Sequence, residues 1–79
     1  MPVYIISAGD SGAVKIGWTE GNAEERLAAL QTANFESLRI LRVIPGSVGI
    51  ETKLHRFFAL HRIRGEWFTF VDDINSNFL

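Results

Sequence analysis

The sequence predicts a small α+β sandwich in which helices flank a three-stranded antiparallel sheet. Two runs of β-branched or alternating apolar residues precede a helical segment, and a third such run separates that segment from a second helix. The resulting order is β-β-α-β-α, followed by a short aromatic segment and a final helix. With 79 residues the chain has material for one domain, which we expect to span residues 1–79.

Residues 3–7 and 14–18 form the predicted first hairpin, with a turn at residues 9–12. If the turn is centred between residues 10 and 11, Tyr4 lies opposite Gly17, which leaves open space over the tyrosine ring. Paired residues point to the same side of a sheet. The register therefore predicts two faces: one carries Tyr4, Ile6, Lys15 and Gly17, and the other carries Val3, Ile5, Ile16 and Trp18.

The first helix is predicted over residues 22–31. Asn22 is a good N-cap residue, and two glutamates follow in the first turn, where the helix dipole favours acids. Leu27 and Leu30 point inward. Arg26 lies beside this apolar stripe and has no acidic residue three or four positions away. Its guanidinium is therefore available for a partner elsewhere in the fold or for a ligand.

The second helix is predicted over residues 50–61, after a strand at residues 38–44 and an N-cap at Ser47. Residues 63–65 end it, residues 66–71 form the aromatic segment, and Asp72 or Asp73 begins the final helix. The spacing of the second helix gives an apolar stripe, made of Ile50, Leu54, Phe57 and Phe58. Beside it runs a polar stripe of Glu51, His55 and Arg62. We expect Trp67 and Phe68 to belong to the core.

Composition narrows the class of protein. There is no cysteine, so disulfides and thiolate metal sites are excluded. No apolar run approaches the roughly 20 residues that span a membrane, and we expect a cytoplasmic protein. Although the net charge is −1, one stretch of the chain contains basic residues and no acid. It is either a solvated surface or a nucleic-acid contact, and its members are Lys53, Arg56, Arg62 and Arg64.

Four short motifs resemble the GIY-YIG nuclease superfamily. Residues 2–4 stand where that family has Gly-Ile-Tyr, and residues 15–17 stand where it has Tyr-Ile-Gly. Arg26 and Glu51 match its helical arginine and glutamate. The sequence is most similar to a short phage- and bacterium-associated branch, which has Val-Lys-Ile-Gly-x-Thr, then Glu-x-x-x-His, then Gly-Glu-Trp-Phe. Here these motifs are residues 14–19, Glu51 with His55, and residues 65–68.

The resemblance implies a metal-dependent endonuclease that hydrolyses phosphodiester bonds in DNA. It implies that Tyr4 activates water or acts as the base, that Arg26 binds the scissile phosphate, and that Glu51 alone holds one divalent cation. That cation would be Mg2+ or Mn2+, which suits a carboxylate completed by phosphate and water oxygens. Lys15 replaces the family's tyrosine, and a lysine can hold phosphate but cannot do all that a phenol does.

Several alternatives stay open at this point. His55 could orient Glu51, contact phosphate or carry a proton. The chain could be a non-catalytic nucleic-acid-binding module of the same fold, as the basic stretch and Lys15 would allow. It could also be a protein-interaction domain whose polar residues only border the core. No separate targeting domain is evident, so specificity would come from a homodimer, a partner or the shape of the DNA.

Overall fold

The computed structural model describes residues 2–9 and 11–69. Within them, five strands form one antiparallel sheet in the order β3-β1-β2-β5-β4. The α+β class is confirmed, and the expected count of three strands is wrong. The elements are β1 (Pro2–Ala8), β2 (Ala13–Trp18), α1 (Ala23–Thr32), β3 (Leu38–Pro45), α2 (Val48–Phe57), a 3-10 turn (Ala59–His61), β4 (Arg62–Arg64) and β5 (Trp67–Thr69).

The predicted register of the first hairpin is confirmed. Tyr4 pairs with Gly17, and Ile6 pairs with Lys15. The side chains sort into two cores on opposite faces of the sheet. The α1-face core contains Tyr4, Ile6, Ala8, Ala23 and Leu38. The α2-face core contains Val3, Ile5, Val14, Ile16, Ile44, Leu54, Phe58 and Phe68.

Helix α1 begins and is capped as predicted. The Asn22 side chain accepts a hydrogen bond from the backbone N–H of Glu25 at 2.8 Å, which satisfies a donor that the first helical turn leaves free. Leu27 and Leu30 pack against the α1-face core. The helix therefore covers the side of the sheet that carries Tyr4, and it projects Arg26 from that side.

Helix α2 is shorter than predicted. It ends at Phe57 rather than at residue 61, and the 3-10 turn follows. Phe58 leaves the helical conformation and buries its ring in the α2-face core at 3% exposure, whereas Phe57 is 65% exposed. The expectation that Phe57 faces inward is therefore wrong. Phe58 is the C-cap residue and takes the core position, and Phe57, the last helical residue, stays exposed.

The second hairpin, β4–β5, was not predicted. Each of its strands has only three residues, which is too short for an alternating apolar pattern to be recognised. All three residues of β4 are also exposed. Gly65 provides the turn with a positive φ of 55°. Phe68 and Trp67 are packed as expected, the first in the α2-face core and the second against the α1-face core. The expected final helix, starting at Asp72 or Asp73, lies outside the described residues.

No helix in the described part of the chain has the length and apolar character that a bilayer crossing requires.

Candidate metal and phosphate site

The site lies at a notch in the sheet where β5 stops and β2 continues. Strand β5 pairs with residues 13–15 of β2 and leaves the outer edge of residues 16–18 without a neighbouring strand. Ile16 uses both its peptide groups there. Its N–H donates to the carbonyl of Glu66 at 3.0 Å, and its carbonyl accepts from His55 Nε2 at 2.8 Å. The notch therefore brings together the end of the β4–β5 hairpin and the middle of α2.

Three ligand-type side chains meet at this notch. Single ligand atoms of Glu51, His55 and Glu66 lie within 4.8 Å of one another, and all three residues are half-buried. Burial, followed by the negative charge of Glu66, raises the pKa of the Glu51 carboxyl above its ordinary value, and a hydrogen bond with Glu66 adds to the rise. His55 and Lys15 act in the opposite direction. Two carboxyl groups are thus held together with incomplete compensation of charge.

This donor set fits a divalent cation. Carboxylate oxygens suit Mg2+ and Mn2+, and an added imidazole suits Mn2+ and other transition ions. A cation between the two carboxylates would also relieve the repulsion that raises the pKa of Glu51. The sequence had suggested Glu51 as the only protein ligand, and the structure brings two further donors to it.

Lys15 supplies the nearest positive charge. Its Nζ lies 2.9 Å from Glu66 Oε1, and its side chain is only 12% exposed. The ammonium also lies 5.6 Å from the centre of the Trp67 ring, within the range of a cation–π contact. Lys15 is therefore held in place by one acid and one aromatic ring.

Tyr4 and Arg26 form the other half of the site. Tyr4 is 1% exposed, and its ring lies against Gly17, where a Cβ atom would overlap the phenol. Arg26 Nε donates to the Tyr4 hydroxyl at 3.4 Å. This hydrogen bond, followed by the electrostatic interaction with Tyr4, raises the pKa of Arg26, and Glu66 contributes to the same rise. Arg26 is otherwise exposed to solvent.

Glu66 connects the two halves. Its carboxylate contacts Lys15 and belongs to the ligand cluster with Glu51, and its charge also acts on Arg26. Tyr4, Lys15 and Arg26 lie on the α1 side of the sheet, whereas Glu51 and His55 come from α2 on the other side. All five side chains suggested by the sequence are therefore linked around the notch, and Glu66 is the link.

Glu66 is the residue that the sequence interpretation missed. It lies in residues 65–68, the Gly-Glu-Trp-Phe motif of the resemblance, in which the sequence interpretation assigns no role to the acid. A usable indication was present, because Lys15 stands alone among apolar residues on β2 and needs a buried counter-charge. Which acid supplies that charge depends on the β4–β5 hairpin, and that hairpin has no apolar pattern.

His55 has a defined tautomer in this arrangement. A carbonyl oxygen only accepts, so Nε2 donates its hydrogen to Ile16. Nδ1 then accepts from Arg62 at 3.4 Å, and the Arg62 guanidinium lies 5.4 Å from the centre of the Phe68 ring. Arg62 belongs to β4 and not to the helical stripe suggested by the sequence, yet it still reaches His55.

The basic stretch does not form one continuous patch. Its four residues are all exposed, but Arg62 pairs with Phe68 and Arg64 pairs with Trp67. Neighbouring residues of a strand point to opposite faces, and a bulge lies between the two arginines. Arg62 therefore lies on the α2 side and Arg64 on the α1 side. The other two, Lys53 and Arg56, are carried by α2.

The fold and the notch define a small α+β domain with a candidate cation site next to residues that can bind phosphate. The chain belongs to the T5orf172 domain family, whose model matches residues 1–76. This family is associated with phages and is often linked to nuclease and DNA-binding roles. No curated protein and no solved structure matches the chain.

The identification of the chain with the GIY-YIG superfamily is wrong, because the matching family is a distinct one. One residue of each three-residue motif, Tyr4 and Gly17, also has a packing role, because the tyrosine ring lies against the glycine across the hairpin. The roles that this resemblance implied for Tyr4, Arg26 and Glu51 therefore depend on geometry and not on family membership.

Proposed function

We propose that the protein is a metal-dependent endonuclease that hydrolyses phosphodiester bonds in DNA. The observation that carries the proposal is the notch itself. There, Glu66 belongs to the cluster with Glu51 and His55 and also pairs with Lys15. Lys15 lies on the same face of the sheet as Tyr4, whose hydroxyl accepts a hydrogen bond from Arg26. The association of the T5orf172 family with nuclease and DNA-binding roles supports the same conclusion.

Glu51 is proposed to hold the cation, which we take to be Mg2+ or Mn2+. Its position on the first turns of α2 is rigid, since Leu54 and Phe58 of the same segment are buried in the α2-face core. The bound cation would neutralise charge on the phosphoryl oxygens. His55 lies beside Glu51, and its ring is oriented by the bond from Nε2 to the Ile16 carbonyl.

Arg26 is proposed to bind the scissile phosphate. Its Nε is occupied by Tyr4, which fixes the plane of the guanidinium and leaves the outer nitrogens for two phosphate oxygens. No salt bridge within the described residues occupies this arginine. Lys15 lies on the same side of the sheet and supplies a second positive charge for the phosphate.

Tyr4 is proposed to position the attacking water. Burial and the contact with Gly17 hold the phenol in one orientation, and Arg26 holds its oxygen. A water that donates a hydrogen bond to this oxygen keeps its lone pair free to attack the phosphorus atom. A group held this firmly contributes through orientation, because little freedom remains to be lost when the substrate binds.

The proposal is tested with supercoiled, linear and branched DNA in the presence of Mg2+ or Mn2+. Wild-type protein should nick or cleave at least one of these substrates, and Glu51→Gln should not. Glu24→Gln is the matched control, because Glu24 is an exposed acid of α1 outside the site. Intact DNA with both the wild type and Glu51→Gln would overturn the enzymatic function.

The same samples decide the main alternative. Binding that weakens with salt, without any cleavage, would instead establish a nucleic-acid-binding module. The exposed Lys53, Arg56, Arg62 and Arg64 would then carry the contacts. Absence of both cleavage and low-salt binding would leave a protein-interaction domain. For the enzyme, we propose that a second copy of the chain or a separate partner supplies targeting.

A further inference from the structure

The ligand cluster contains one more carboxylate than a single-glutamate site needs. Ligands on opposite sides of a small divalent cation, at about 2.1 Å each, are roughly 4.2 Å apart. The donor atoms of Glu51, His55 and Glu66 already lie within 4.8 Å of one another. Rotation of the side chains is enough to bring the two carboxylates onto a common ion, with no change in the backbone.

The charge at this point is unbalanced in the described structure. Glu51 and Glu66 face each other, and among the described residues the Lys15 ammonium, 2.9 Å from Glu66, is the one cation that forms an ion pair with either acid. One ammonium cannot neutralise two carboxylates, whereas one divalent cation can. The Lys15 ammonium therefore supplies part of the positive charge that a bound divalent cation would supply.

We infer that Glu66 is a second protein ligand of the ion at Glu51 and that Lys15 competes with the ion for it. The inference builds on the proposed function, which assigns the ion to Glu51. When Glu66 turns to the ion, Lys15 loses its acidic partner. Its ammonium lies on the same side of the sheet as Tyr4 and Arg26, so it becomes available to the substrate phosphate. Metal binding and phosphate binding are coupled through this one exchange.

The test measures binding of Mn2+ alone, by the electron paramagnetic resonance signal of the free ion. Glu66→Gln keeps the size of the side chain and removes its charge, so we expect Mn2+ affinity to fall about tenfold or more. Lys15→Gln removes the competitor and keeps both carboxylates, so we expect Mn2+ to bind more tightly than to the wild type. Glu24→Gln should bind as the wild type does.

Circular dichroism and thermal unfolding of each variant verify that the fold is kept. Wild-type affinity in Glu66→Gln, together with loss of binding in Glu51→Gln, would overturn the inference and leave the proposed function intact. Weaker Mn2+ binding by Lys15→Gln than by the wild type would show that Lys15 does not compete with the ion for Glu66. If the wild type itself binds no Mn2+, the metal-dependent function fails as well, and this result is distinct from the other two.

Discussion

The two sides of the sheet approach the notch with opposite chemistry. On the α1 side, the buried Tyr4 ring packs against Gly17, and its hydroxyl accepts a hydrogen bond from the Arg26 guanidinium. That side is therefore positive at the notch, and packing holds its side chains in place. On the α2 side, Glu51 is half-buried beside Glu66, and burial and the charge of Glu66 raise the pKa of Glu51. The two environments meet beside Ile16 of β2, just before β5 begins.

The comparison teaches that one half of the site is organised by shape and the other by charge. Changes in side-chain size should have their largest effect on the α1 side. Changes in protonation or in the bound cation should have their largest effect on the α2 side. Apart from Lys15 and Glu66, which form an ion pair across the notch, a substitution on one side should leave the particular property of the other side unchanged. The predictions below test this separation.

The largest effect is expected when each half loses its charged group. Arg26→Gln and Glu51→Gln should each reduce DNA cleavage about a thousandfold, since each removes charge stabilisation from the reaction. They should differ in binding: Arg26→Gln keeps Mn2+ affinity and weakens binding to DNA, while Glu51→Gln loses Mn2+ affinity. Electron paramagnetic resonance measures the Mn2+ affinity, and fluorescence anisotropy measures the binding to DNA. Loss of Mn2+ binding in Arg26→Gln would contradict the separation.

The next effect concerns packing on the α1 side. Gly17→Ala places a methyl group where the Tyr4 ring lies, and we expect this overpacking to lower the free energy of unfolding by about 2 kcal/mol. For a domain of this size, Tm should fall by about 10 °C. Gly49→Ala is the control, because Gly49 lies in α2 and alanine favours a helix. Equal Tm values for Gly17→Ala and the wild type would show that the ring has room to move.

The smallest effect concerns pH on the α2 side. The pKa of Glu51 is raised by burial and by the charge of Glu66, so between the unfolded and folded pKa values the folded protein holds more protons. Stability is therefore lost as pH rises through that interval. Glu51→Gln has no such loss. Without metal, its Tm should match the wild type at about pH 4 and exceed it at pH 7.

Adding Mn2+ should reverse this order at pH 7, because the ion stabilises the wild type and has no site in Glu51→Gln. Thermal unfolding followed by circular dichroism measures both conditions. A metal-free Glu51→Gln variant that is less stable than the wild type at pH 7 would contradict the account of charge at Glu51.

The sequence predicted the first hairpin well because its apolar residues alternate and its turn is short. Those two features determine which side chains share a face, so Tyr4 over Gly17 followed directly. The start of helix α1 could be predicted equally well, because Asn22 is a recognisable N-cap residue. In both cases the controlling interactions lie between residues that are near each other along the chain.

What the sequence could not predict depends on distant contacts. The β4–β5 hairpin is short and exposed, and its place in the sheet comes from the burial of Phe68 beside Val14. The early end of α2 reflects competition between Phe57 and Phe58 for one core. Glu66 reaches the notch only because that hairpin pairs with β2, so its role was invisible in a linear motif.

The carboxylate of Glu66 belongs to the β4–β5 hairpin, which forms one edge of the sheet. During synthesis, Tyr4, Arg26 and Glu51 all leave the ribosome before it does. On the proposed function, a polypeptide cut short before this hairpin would carry every other group around the notch and still lack the bridge between them.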